Sequence, residues 1–260
     1  MKKNIISYAL IILLLSSCSS KLDFTAPSTP VTPPVGSSDL LISEVATAIN
    51  TYTGPTGTKA RNHYVELYNG TTGSLDLSNY AVGYQAVTDT NTLSPWNFPD
   101  TTFFITLKGT VATKNCFVIA SPQADTDLIK SNITWGTTST ASADAVTSLQ
   151  LSGNSALALL KKDTKGTFIL SGNKYKIIDV FCSPLVARIA TTGKTSARNN
   201  IIWAVADTTN DTRNRTFWRK PSITAPQSDW SISNAAGNSQ WEISLDKVWD
   251  YTNVGLPTAH

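Results

Sequence analysis

The sequence predicts an all-β protein: an antiparallel β-sandwich with inserted loops and one short helix. Three observations lead there. From Asp39 onward, short apolar or alternating runs recur with little helical periodicity. Clusters of Gly, Asn, Asp, Ser and Pro separate those runs. The 260 residues are 41% apolar and only 15% charged, enough to fill a core, with Thr, Ser and Asn in plenty. That balance suits an extracytoplasmic β protein better than a cytosolic helical enzyme.

Taken in order, the predicted strands are LLISEVA from 40, HYVELYN from 63, YAVGYQAV from 80, FFITL from 103 and NCFVIA from 115. SLQL from 148, ALALLKK from 156, TFIL from 167, KIIDVF from 176 and IIWAVA from 201 follow. In the second run Val65 and Leu67 share one face and should pack inward. Tyr64, Glu66 and Tyr68 share the other, expected to be wetter. Asn69-Gly70 is a turn signal. One helix is expected from Pro122 to about Lys130, with Ser121 as N-cap and Pro122 as first residue.

The first twenty residues differ from the rest. Lys2 and Lys3 precede a short apolar stretch, Ile5 to Leu15, too short to span a bilayer comfortably. Leu15-Ser16-Ser17-Cys18 resembles the lipobox of bacterial lipoproteins. That resemblance implies cleavage before Cys18 and acylation there, so 1–17 is a signal peptide and Cys18 a membrane anchor. Ser19 is not the Asp that would signal inner-membrane retention, which favours the outer membrane. Residues 25 to 36 read TAPSTPVTPPVG, four prolines in twelve residues. They lie within an extended tether, 18–37, and by themselves reach on the order of 35 Å at roughly 3 Å per residue. The expected domain is 38–260.

Later motifs resemble a known family. LLISEV, then YVELYNGTTGSLDLSNYAVG at 64 to 83, is similar to the opening of the lamin-tail domain. NCFVIASPQAD, GNSALALLKKD at 153 to 163, IIDVF at 177 to 181, RTFWRKP at 215 to 221 and DYTNVGLPTAH at the end resemble its later segments, in order. The closing segment departs from the pattern: Val254 stands where Leu is usual and the histidine is His260. The resemblance implies an immunoglobulin-like β-sandwich that binds or scaffolds, with no catalytic machinery of its own. Stretches 85 to 102, 131 to 147 and 184 to 199 exceed a minimal domain and read as inserted loops.

The two histidines, His63 and His260, lie in no Ser-His-Asp pattern, and no Gly-x-Ser-x-Gly stretch occurs. Zinc needs clustered Cys and His, which are lacking. Glu44 and Glu66, two of only three glutamates, sit on strands expected to be close. They read as a structural pair, with an acid/base or metal role as the alternative. The loop 207 to 214, DTTNDTRN, offers oxygens to calcium but lacks the Gly and Glu of an EF-hand loop, and reads as a hairpin connection. Arg213, Arg215, Arg219 and Lys220 around Phe217 and Trp218 read as a strand with a solvated charged face.

Five of seven tryptophans fall between 203 and 249. Trp96 and Trp135, in inserted loops, are the candidate ligand-contact surface, with Trp218 added. Cys116 and Cys182 leave a disulfide and two free thiols equally open. Without Lys2 and Lys3, 21 basic residues become 19 against 18 acidic, which argues against nucleic acid. No cofactor or metal is implied. The expected protein is a lipid-anchored envelope module, not an enzyme, with a protein or glycan ligand. An accessory or weak carboxylate-dependent hydrolase and a self-associating envelope protein are the alternatives.

Overall fold

A computed structural model describes residues 38–47, 52–53, 59–87, 92–137, 147–190, 201–207, 212–245 and 248–256. The alternating runs form two sheets. Eleven strands build them: β1 (Leu40–Thr47), β2 (Tyr64–Asn69), β3 (Tyr80–Ala86), β4 (Phe104–Thr106), β5 (Asn115–Ala120) and β6 (Ile133–Thr134), then β7 (Ser155–Lys162), β8 (Phe168–Leu170), β9 (Asn173–Phe181), β10 (Arg215–Arg219) and β11 (Trp241–Ile243). The first sheet runs β6-β5-β2-β1-β10-β11 and the second β8-β9-β7-β3-β4. Every pairing is antiparallel except β5 with β6. The fold is an all-β antiparallel sandwich.

Period-two alternation places the core between the sheets. Val45, Val65, Leu67 and Phe217 come from the first sheet; Val82, Leu157, Leu159 and Phe181 come from the second. The Phe181 ring meets Phe217 at 4.8 Å and Trp241 at 5.0 Å between centroids. Yet β7 is buried on both faces, Ala156 through Leu160 without a break. The outer face of its sheet has a roof. Gly83, opposite Ala158, lies under the Phe98 ring, and a Cβ there would come within 2.5 Å of it. Phe98 in turn packs on Phe168 and Trp96.

The first sheet is roofed as well, by residues 121–130 and 248–256. Tyr64, Val118 and Ala120 pack there with Ile129, Val254 and Tyr251. This overturns the expected wet face of β2: Tyr64, Glu66 and Tyr68 are all buried. Alternation sorts residues between two faces, but only the chain's later course decides whether the second face meets water.

The expected helix at 122–130 does not form. Those residues make successive turns, with one helical hydrogen bond, Ile129 N–H to the Asp125 carbonyl at 2.8 Å. Side chains take the N–H groups a helix would use. Asn62 Oδ1 accepts from Asp125 N–H and Asp125 Oδ1 from Asp127 N–H, both at 2.9 Å, while Ser121 Oγ does cap Gln123 N–H, at 3.2 Å, with no helix behind it. Among the described residues the α-helix is α1 (Trp230–Ser233), capped by Asp229. The DLSN segment turns as expected of a turn-shaping run: Asp76 caps a 3-10 turn, Leu77–Asn79, that leads into β3.

The basic strand β10 was expected to show charge to solvent; instead Arg213, Arg215 and Arg219 are buried. Arg219 crosses between the sheets. Its Nη2 donates to both oxygens of Asp179 on β9 at 2.6 Å, and its Nε to the Ile42 carbonyl at 3.2 Å. The guanidinium lies 4.2 Å from the Trp241 ring centre. Asp179 also accepts from the N–H groups of Ile42 and Gln227, at 2.8 and 2.9 Å. Burial raises its pKa, and Arg219 and those donors pull it back down. A buried, multiply hydrogen-bonded ion pair thus pins one sheet to the other.

Candidate functional site

The two scarce glutamates meet. Glu44 on β1 and Glu66 on β2 are directly opposed, 0% and 2% exposed. The register slips between Ile42 and Glu44, so Ser43 is an extra residue, a β-bulge. The bulge turns Ser43 Oγ onto Glu66 Oε1 at 2.7 Å. From the roof, Gly255 N–H donates to Glu66 Oε2, also at 2.7 Å. The Tyr64 hydroxyl donates to Glu44. Cys116 borders the pair, half-buried, its thiol 3.3 Å from the Leu256 carbonyl.

Opposed like charges are unfavourable, and out of water far more so. Burial first and the Glu44 charge second push the Glu66 pKa up to about 7; the Gly255, Ser43 and Cys116 donors act against the rise. The Cys116 thiol is pushed well up, by burial and then by Glu66. So the pair holds a proton near neutrality, under a segment latched to it by hydrogen bonds. More bonds fasten the same segment: Trp249 Nε1 to the Thr47 carbonyl at 2.9 Å, and Asp250 N–H to Thr216 Oγ1 at 3.4 Å. The arrangement clamps the C-terminal segment onto the sheet. Among the described residues no group of three or more His, Cys, Asp and Glu side chains is placed to hold a metal.

The aromatic candidates are not brought together. Trp135 is 3% exposed and stacks edge-on against Tyr84 at 5.4 Å, its Nε1 3.4 Å from the Thr101 carbonyl. It is a core residue, not half of an open platform. Trp96 is half-buried against Phe98. Trp218 lies on the outer side of the first sheet, between Glu44 and Glu242 on neighbouring strands. Large rings gain more from burial than from water, and the inserted loops fold back to supply it. Cys116 and Cys182 are both free thiols; the expected alternative of a bond between them is not what the structure contains. Cys18, His260 and residues 208–211 of the oxygen-rich loop lie outside the described residues.

His63 has a structural part. It is buried, and its Nδ1 accepts the Leu151 N–H at 2.5 Å, so its proton sits on Nε2. Burial, then the nearby Arg61 charge, lowers its pKa to about 3. At neutral pH it is an uncharged strut.

Two features went unread in the sequence. The Asp179–Arg219 pin had a signal: one carboxylate inside IIDVF and one guanidinium inside RTFWRKP, both in otherwise apolar strands. A groove of about 530 Å³ where the chain enters the sandwich is lined by Ser38, Asp39, Lys161, Lys162 and Lys176, among others. Its lysines come from two strands, and only the pairing of β7 with β9 gathers them.

No family model matches the chain, and no curated protein does. A solved structure of a DUF4876 family protein from Bacteroides thetaiotaomicron is similar at a TM-score of 0.41. It is 12% identical, over 85% of this chain and 72% of that one.

Proposed function

We propose that this is a lipid-anchored envelope protein whose lamin-tail-like sandwich acts as a non-catalytic binding or scaffolding module, with a protein or glycan ligand. The observation that carries the reading is where the family-like motifs fall. Asp179 of IIDVF joins Arg219 of RTFWRKP across the core. Glu66 of YVELYN holds Gly255 of the closing segment. Asp76 of DLSN caps the turn before β3. The motif residues that look chemical are thus occupied in joining the sandwich, which supports a module over a hydrolase. Anchoring rests on the lipobox-like Leu15-Ser16-Ser17-Cys18 and the proline-rich tether.

Two measurements test this. Mass spectrometry of the membrane-extracted protein should find a diacylglyceryl-sized addition on a peptide beginning at Cys18. A pull-down from envelope extract, run beside a glycan array, should return a specific ligand. A soluble, unacylated mature chain would end the anchor reading. Turnover of a polymer substrate, lost on Glu66→Gln with the fold intact, would end the non-catalytic one.

A further inference from the structure

The chain enters the sandwich at Ser38 and Asp39, and the surface around that entry is basic. The 530 Å³ groove there adjoins a second of about 460 Å³ on the hairpin side, and Lys162 and Asp163 line both. Together they carry Lys161, Lys162, Lys174 and Lys176 against two aspartates. Both aspartates are already engaged. Asp39 takes Lys161 Nζ at 2.6 Å and the Tyr80 hydroxyl at 2.5 Å; Asp163 takes Lys176 Nζ at 2.8 Å. Among the described residues Lys162, Lys165 and Lys174 have no ion pair. Lys161 and Lys176 stand directly opposite each other, each held there by its own aspartate, Asp39 and Asp163.

An apolar tip lies in the same place. Ile169 on edge strand β8 is 70% exposed and directly opposes Lys174, so the two share a face. Its neighbour Phe168 points the other way, against the core. An exposed aliphatic side chain beside Lys174, with Lys176 next along the same face of β9, is the chemistry of a membrane interface: the apolar group enters the acyl boundary while the ammonium groups meet phosphates. The position fits as well. Residues 18–37 join this face at Ser38, and as an extended chain they reach on the order of 60 Å at most. Attachment here lets this face reach the membrane without the domain turning over, and the basic charge then favours that orientation.

We propose that this isoleucine-tipped basic face docks on anionic phospholipid headgroups of the membrane that holds the N-terminus, so that the sandwich lies against its membrane. The inference rests on the lipid-anchor reading above.

The full chain, isolated with its anchor, is reconstituted on vesicles of phosphatidylcholine alone or with about 30% phosphatidylglycerol. Acetylation of each lysine is then timed by mass spectrometry. Labelling of Lys174 and Lys176 should slow about threefold or more on the phosphatidylglycerol vesicles, and recover in about 0.5 M salt. Lys130, exposed in the roof of the other sheet, should not change. Ile169→Asp should remove the protection and leave the melting temperature alone. Equal labelling on both vesicles, with the chain bound to both, overturns docking and leaves the anchor standing. A chain without acyl mass that leaves phosphatidylcholine but stays on phosphatidylglycerol with its lysines protected overturns the anchor and keeps the docking face. Release from both overturns both.

Discussion

Replacing Glu66 by Gln removes one ionisable proton from beneath the C-terminal segment and keeps the side chain's shape. The amide oxygen can still accept from Gly255 N–H, and the amide nitrogen can donate to Ser43 Oγ. In the folded protein Glu66 titrates at about 7 against an ordinary 4.5. A raised carboxyl pKa means the folded state prefers the protonated form. Its stabilising contribution is complete below pH 4.5 and is lost as pH rises through about 7. At ~1.4 kcal/mol per pKa unit, the loss is about 3 kcal/mol. His63 works in the opposite sense. Its pKa falls from 6.5 to about 3, so its contribution is present above 6.5 and lost as pH falls toward 3. Between pH 4.5 and 6.5 the two slopes cancel, and these groups leave wild-type stability nearly flat there. The Gln variant unmasks the His63 slope. Urea unfolding of both proteins across about pH 4.5 to 8 should show the variant gaining about 3 kcal/mol on the wild type, or roughly 10 °C in melting temperature. A difference that stays constant with pH, or that runs the other way, refutes the reasoning.

Asp179→Asn leaves the Arg219 guanidinium buried without its counter-charge, and should cost about 3–5 kcal/mol by chemical denaturation. Gly153 has φ +84°, and a Cβ there would come within 2.3 Å of Arg213 Cγ. Gly153→Ala should therefore cost about 2 kcal/mol or more, while Gly172→Ala, also at positive φ but in open space, should cost about 1 kcal/mol. Maleimide labelling should find Cys182 inert until the protein unfolds and Cys116 slow in the native state, since the thiols of both are pushed up by burial. Non-reducing mass mapping should find no bond between them. Trp135→Ala should destabilise by about 3–5 kcal/mol, so any ligand loss it causes should follow the unfolded fraction measured by circular dichroism.

Much of the sandwich was legible in the chain because strand period and turn chemistry are local properties. Val65 and Leu67 had to share a face, and Asn69-Gly70 had to turn. Even the nearness of Glu44 and Glu66 could be read, from two strands expected to be neighbours. Three things were not local. The helix expected after Pro122 was broken by Asn62, a side chain from elsewhere taking the Asp125 N–H. Whether Tyr64 and Glu66 met water depended on residues 248–256, nearly two hundred positions later. Whether Trp135 opened to a ligand depended on Tyr84 and Thr101 lying over it. Sequence by itself determined the strands, their inward faces and the residues able to carry chemistry. Tertiary structure alone decided which of those residues were sealed, because burial, and with it every shifted pKa, is set by what the rest of the chain lays on top.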